Sequence, residues 1–183
     1  MYKLVENKDM LDLFHQIKEV SWQGKGFEME LGKPGSDLYL IYTEDKIPGG
    51  TFEFTPYEWN TRPFIRELFD TVIMKDMKVV EIDSFSVLPE YRGKLGRKIL
   101  CLLIEYAQTK GYTHAIGIAD PSVFRSFQET YQIPCQQVAE EIWYKGDHVI
   151  PTLFHLKEVY HNLHDPKYDW FTKPTGLREE VLK

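Results

Sequence analysis

The chain has 183 residues, 43% of them hydrophobic, and a formal net charge of −6. That is enough for one domain with a proper core and asks for no second one. The acidic balance argues against nucleic acid and anionic membrane surfaces, which select a basic face. Two cysteines without paired spacing and six irregularly placed histidines exclude a disulfide framework and a zinc pattern.

Residues 7–22, NKDMLDLFHQIKEVSW, carry Met10, Leu11, Phe14, Ile17 and Val20 at three- and four-residue steps. That spacing predicts an amphipathic helix capped by Asn7 or Asp9. The β-rich runs 38–42 and 51–55, with Pro48, Gly49 and Gly50 near their junction, predict a hairpin. A short helix is expected over 63–70. The strand MKVVEIDSFSVLP follows, dense enough in Val79, Val80, Ile82, Phe85 and Val87 to lie in the middle of a sheet. A helix opening at Gly96 presents Ile99, Leu102, Leu103, Tyr106 and Ala107 on one stripe and stops at Gly111. With the apolar strand THAIGIA it forms a parallel, right-handed strand–helix–strand crossover. Beyond it are expected a helix over 121–132, two antiparallel strands within 136–146 and 148–156, a helix over 157–163 and a loose tail over 165–183. The N-terminus lacks an apolar signal region, and ILCLLI is far short of the roughly 20 residues that span a bilayer. The expectation is a single cytoplasmic domain, 1–164, in the α/β (α+β) class, with a mixed and mostly antiparallel sheet.

Between the central strand and its helix runs RGKLGR, residues 92–97. A helix start leaves backbone N–H groups without intrahelical partners at the positive end of the macrodipole. Gly93 and Gly96 allow close approach of a phosphate, and Arg92, Lys94 and Arg97 bring charge, so the loop reads as an anion seat. Neither G-x-x-x-x-G-K-[ST] nor G-x-G-x-x-G is present. Glu81 and Asp83 share one face of the central strand, where they are either catalytic or paired with a nearby Arg or Lys. Trp22, Phe27, Phe54, Tyr57 and Trp59 fall in the segments flanking that strand and suit an apolar cleft wall or plain core packing.

The stretch SFSVLPEYRGKLGRKILCLLIEYAQTKGYTHAIGIAD resembles the acyl-CoA-binding core of the GNAT N-acyltransferase superfamily, over about residues 79–137. The resemblance implies an N-acyltransferase that moves an acyl group, first of all acetyl, from acetyl-CoA or another acyl-CoA to a small-molecule amine without a metal. It places the coenzyme pyrophosphate on Arg92, Gly93, Lys94, Leu95, Gly96 and Arg97, and the pantetheine arm along Phe85, Ser86 and Val87. It makes Glu81 the base and lets Trp22, Phe27, Phe54, Tyr57 and Asp83 meet the acceptor. The loop is one residue shorter than the family pattern before Leu95. Phe127 stands where many members carry an acidic Tyr, leaving Tyr131 as the nearest phenol. A second resemblance, carried by Trp22, Gly49, Gly50, Glu81, Phe85 and Val87, is to acyl-homoserine-lactone synthases and N-acyl amino acid synthases. It implies a longer acyl chain, or an acyl carrier protein docking on Arg92, Lys94, Arg97 and Lys98. Ser84, Thr51 and Phe52 occupy places where that branch carries Arg or Leu. Further expectations are a possible role as a non-catalytic acyl-CoA-binding module, a covalent route through Cys135 ranked last, and a homodimer by analogy with the scaffold.

Overall fold

A computed structural model of the protein describes residues 1–175. An eight-stranded sheet holds it together in the order β1 (Tyr2–Leu4), β2 (Asp37–Tyr42), β3 (Pro48–Pro56), β4 (Val79–Val87), β5 (His114–Ala119), β8 (Asp147–Phe154) and β6 (Cys135–Gln137). The remaining strand, β7 (Ile142–Tyr144), pairs with the start of β8. All pairings are antiparallel except β4 with β5. Helices α1 (Lys8–Gln23) and α2 (Pro63–Phe69) cover one face, and α3 (Gly96–Lys110) covers the other. Two shorter helices, α4 (Pro121–Arg125) and α5 (Leu156–His161), complete the chain order.

The N-cap of α1 is Asn7, whose side chain accepts from the Met10 N–H, and its buried side is Phe14, Ile17, Lys18 and Ser21. The crossover is closed by α3, which ends where Gly111 takes a left-handed φ of 74°. Its apolar stripe, Ile99 to Ala107, meets Val80, Phe52, Phe54, Ala115 and Phe154 of the sheet.

Two features of β4 shape the rest. The first is its pairing with β5, which covers only Val79–Glu81 against His114–Ile116, after which the two strands part. The second is a bulge against β3, where the register slips between Glu53↔Asp83 and Thr51↔Ser86. Ser84 sits in it at φ 54°, a cost that a non-glycine residue bears only when its surroundings hold it. They do, because Ser84 donates to Glu53 at 2.7 Å while its carbonyl accepts from Thr51 Oγ1 at 2.8 Å. The extra residue turns Phe85, rather than Ser84, onto the α3 face beside Ile82.

Several elements differ from expectation. β1 is too short for periodicity to show. The strand expected within 136–146 is two three-residue strands, because residues 138–141 leave the ladder after Val138 bonds Pro151. The helix over 121–132 widens into a π-turn at Ser126–Thr130. Part of the supposed loose tail is packed: Tyr168 and Trp170 are buried in the main core, and the Trp170 indole donates to the Tyr131 carbonyl at 2.9 Å. Residues 176–183 of that tail lie outside the described residues. No helix among the described residues is long and apolar enough to cross a membrane.

Candidate active site

The parting of β4 and β5 opens a cavity of about 280 Å³ through the sheet. On the α1 side its wall is Trp22, Lys25, Phe27 and Glu30. In the gap stand Glu81, Asp83, Gly117 and Ile118, and beyond it on the α3 side Phe52, Phe85, Phe127 and Phe154 close an apolar end. Gly117 is where a side chain would narrow the gap, since a Cβ there would lie 3.1 Å from Ile82 Cγ1. A second chamber of about 170 Å³ shares Phe85, Gly93, Gly96 and Phe127 with the first and adds Leu100 and Tyr131.

Where the two meet, α3 begins. Its N-cap, Leu95, offers no side-chain cap, so the first-turn N–H groups keep their anion-binding capacity. Gly93, at φ 79°, has nothing within 4 Å of where a Cβ would sit, which leaves the loop backbone open to a bulky group. No ion pair among the described residues engages Arg92, Lys94, Arg97 or Lys98, whereas Lys8, Lys25, Lys33, Arg62 and Lys145 each have an acid. An uncapped helix end with four unpaired cations suits a phosphorylated ligand.

At the other end of the cavity, Glu81 is buried and held by Asn60 Nδ2 at 2.6 Å and by the Arg62 guanidinium. Lys33 lies between Asp83 at 2.8 Å, Glu53 at 3.2 Å and Glu81 at 3.9 Å. Burial pushes the Glu81 carboxyl up, with Asp83 adding to it, against the pull of Lys33 and Arg62. For Asp83 burial also acts upward, but Lys33, with Lys18, outweighs it and holds the carboxyl well below the usual range. Lys18, fully buried and without a hydrogen-bond partner, lies 4.2 Å from the Trp22 ring centroid, and burial lowers its pKa.

The structure brings Trp22, Phe27, Glu81, Asp83, Phe85, Val87, Arg92, Gly93 and Gly96 together around the cavity, and Tyr131 to the adjoining chamber. Other expected contacts lie elsewhere. Phe54 is in the core, stacked 3.9 Å from Tyr106, because its side of β3 faces α3. Tyr57 packs with Ile65 and Phe69 and donates to Asp70 at 2.6 Å. Leu95 is an anchoring core residue, and Ser86 is buried with its hydroxyl unpartnered. Lys94 and Arg97 are exposed at the loop and first turn without lining the cavity. Trp59 is 60% exposed beside Gly35. Val87 already exchanges hydrogen bonds with the Ser21 hydroxyl at 3.2 and 3.3 Å. The site residues that sequence reasoning missed are Lys33, Asn60, Arg62 and Lys145, lone polar residues in irregular segments. Lys18 alone left a trace, a lysine on the apolar stripe of α1.

A family model for the acetyltransferase (GNAT) family matches residues 7–132. The chain belongs to that family. No curated protein matches it in sequence. Among solved structures, the fold is similar to FeeM, an N-acyl amino acid synthase from uncultured soil microbes, at TM-score 0.68 and 10% identity, covering 86% of this chain and 91% of that one. The acyl-homoserine-lactone synthase LasI superposes at TM-score 0.65 and 14% identity, over 87% and 93%. A putative N-acetyltransferase from Lactobacillus plantarum gives 0.61 at 14% identity, over 85% and 97%. The family model bears out the resemblance to the GNAT superfamily, and the solved structures share the mixed sheet with one parallel unit, the lactone and N-acyl amino acid synthases among them. Among the described residues no cluster of His, Cys, Asp and Glu is placed to hold a metal ion.

Proposed function

We propose that this acyltransferase takes an acyl group from acyl-CoA and joins it to a small amine in a single ternary complex. The observation that carries the reading is the continuity of the site. One cavity joins the uncapped, cation-rich start of α3, the gap between β4 and β5, and the buried carboxylate of Glu81.

The residues present fit the donor. Arg92, Gly93, Gly96 and Arg97 would hold the pyrophosphate with the free N–H groups of α3, and the parted edge of β4 at Phe85 would receive the pantetheine arm. Acyl-CoA supplies the activated thioester carbon. The apolar end at Phe52, Phe85, Phe127 and Phe154 favours a chain longer than acetyl, since an acetyl group would leave most of that lining unfilled. Trp22 and Phe27 wall the acceptor's side.

The amine must be neutral to attack, and Glu81 would accept its proton, directly or through one water. Tyr131, in the adjoining chamber, is the nearest phenol that would return a proton to the departing thiolate. In balance, one N–C bond forms, one C–S bond breaks, and the proton lost by the amine is matched by one gained at sulfur. The unpaired cations around α3 would equally receive an acidic acyl carrier protein, which is the second reading.

Thiol release with an acyl-CoA series and an amine panel tests the proposal. Turnover that needs both substrates, and that falls about 100-fold in Glu81→Gln with donor affinity retained, supports it. Donor binding without thiol release on any amine would reduce the protein to a binding module, and turnover unchanged in Glu81→Gln would take the base's role from Glu81.

A further inference from the structure

The segment 24–34 crosses the acceptor side of the cavity as a strap without helix or strand. It is fastened at both ends. Near its start Lys25 pairs with Asp120 at the end of β5 at 3.1 Å. Near its finish Gly32 N–H donates to His15 Nε2 at 3.1 Å, Lys33 N–H to Glu53 at 2.8 Å, and Lys33 Nζ to Asp83 at 2.8 Å. Between these anchors the Gly26 and Phe27 N–H groups bond back to the end of α1, at 3.1 Å to the Gln23 carbonyl and 3.0 Å to that of Trp22, and Glu28 N–H bonds the Lys145 carbonyl at 2.9 Å. Glu30 therefore sits on the least supported stretch, and its side chain is 30% exposed.

That side chain reaches two cations from two other elements. Glu30 Oε2 lies 2.5 Å from Lys145 Nζ, on the β7–β8 hairpin, and 3.9 Å from Arg62 Nη1, before α2. All three residues line the cavity. The other terminal nitrogen of Arg62, Nη2, holds Glu81, and its buried Nε has no partner. A single guanidinium thus stands between the carboxylate that would receive an amine's proton and a seat that already holds a carboxylate. In an α-amino acid the amine and carboxylate share one carbon, so one acceptor presents both groups to the two sides of one guanidinium. Arg presents such a fork, and Lys adds a point charge beside it.

We propose that Arg62 and Lys145 form the seat for the carboxylate of an amino-acid acceptor, and that Glu30 of the strap fills that seat until the acceptor displaces it. The inference rests on the acyltransferase reading and deepens it. The acceptor amine then lies at Glu81, and its side chain runs toward Trp22 and Phe27. Glu30 makes the strap a built-in competitor, so acceptor binding and strap opening are one event, and amines without a carboxylate gain nothing from it.

The test is calorimetric binding, with CoA saturating, of the twenty L-amino acids and their decarboxylated counterparts, followed by thiol release with a long-chain acyl-CoA. At least one amino acid should bind ten-fold or more tighter than its amine. Glu30→Gln should tighten that amino acid several-fold and leave the amine within two-fold, while Lys145→Gln weakens the amino acid ten-fold or more. Amines that bind as well as their amino acids, no amino acid binding at all, or a Glu30→Gln variant with an unchanged ratio would overturn the seat. Acylation of plain amines in that case would leave the acyltransferase reading standing; no thiol release with any acceptor would instead strike that reading itself.

Discussion

Replacing Lys33 by Met removes the one cation shared by three carboxylates while keeping the side chain's length. Lys33 is 15% exposed, Glu53 is fully buried and Glu81 nearly so. Taking one partner from a buried ion pair costs about 3–5 kcal/mol, most of it the penalty on the charges left behind. The loss should depend on pH. In the native protein Asp83 is held below its ordinary value, so its contribution is complete above about pH 4 and disappears on acidification below that. In Lys33→Met, burial acts on Asp83 with Lys18 and the Ser84 N–H still opposing it, and on Glu81 with Arg62 still opposing it, so both carboxyls rise. Stability of the variant should then fall as pH climbs from 4 to 7, and the gap to the native protein should widen. Urea unfolding followed by tryptophan fluorescence at pH 4 and pH 7 reads both numbers. Adding Asp83→Asn to Lys33→Met should recover part of the pH 7 loss. A loss under about 1 kcal/mol at pH 7, or one equal at both pH values, would refute the reasoning, because it would place the cluster in water.

Gly117→Val puts bulk against Ile82 in the gap between β4 and β5. It should weaken long-chain acyl-CoA ten-fold or more and spare CoA itself, as read by calorimetry. Trp170→Ala should cost about 3–5 kcal/mol in chemical unfolding, because the indole is buried against Tyr131 and donates to its carbonyl, a loss that a loose tail would not produce. Burial pushes the Cys135 thiol up to about 11. At pH 8 it should react with a disulfide reagent far more slowly in the native protein than in urea, and turnover should survive Cys135→Ala.

The centre of the fold was legible because its signals are local. Two strands, a glycine-bearing loop and a striped helix follow one another within residues 79–119, and each carries its own periodicity or cap. Glu81 and Asp83 stood out as carboxylates in an apolar strand, and there they are paired, with Arg62 and Lys33, on the wall of the cavity. The partners were not legible. Lys33, Asn60 and Arg62 come from loops, where no period marks a residue, and only folding brings them to β4. Phe54 and Tyr57 were misplaced for a related reason, since an aromatic in a flanking segment does not announce which face of the sheet it meets. The bulge at Ser84 explains the apolar spacing of β4, where Val80, Ile82, Phe85 and Val87 skip one residue in the middle. A strict two-residue alternation would have put Ser84 on the α3 face and Phe85 off it.

The most direct test of acyl-CoA recognition is a calorimetric titration of the intact protein with CoA, acetyl-CoA, hexanoyl-CoA and decanoyl-CoA at low and moderate salt. Binding of all four is expected, weakened by salt through the cations at α3. Affinity should rise with chain length by up to about four-fold per methylene until the apolar end at Phe127 and Phe154 is full. A protein that stays folded and binds none of them would contradict the account.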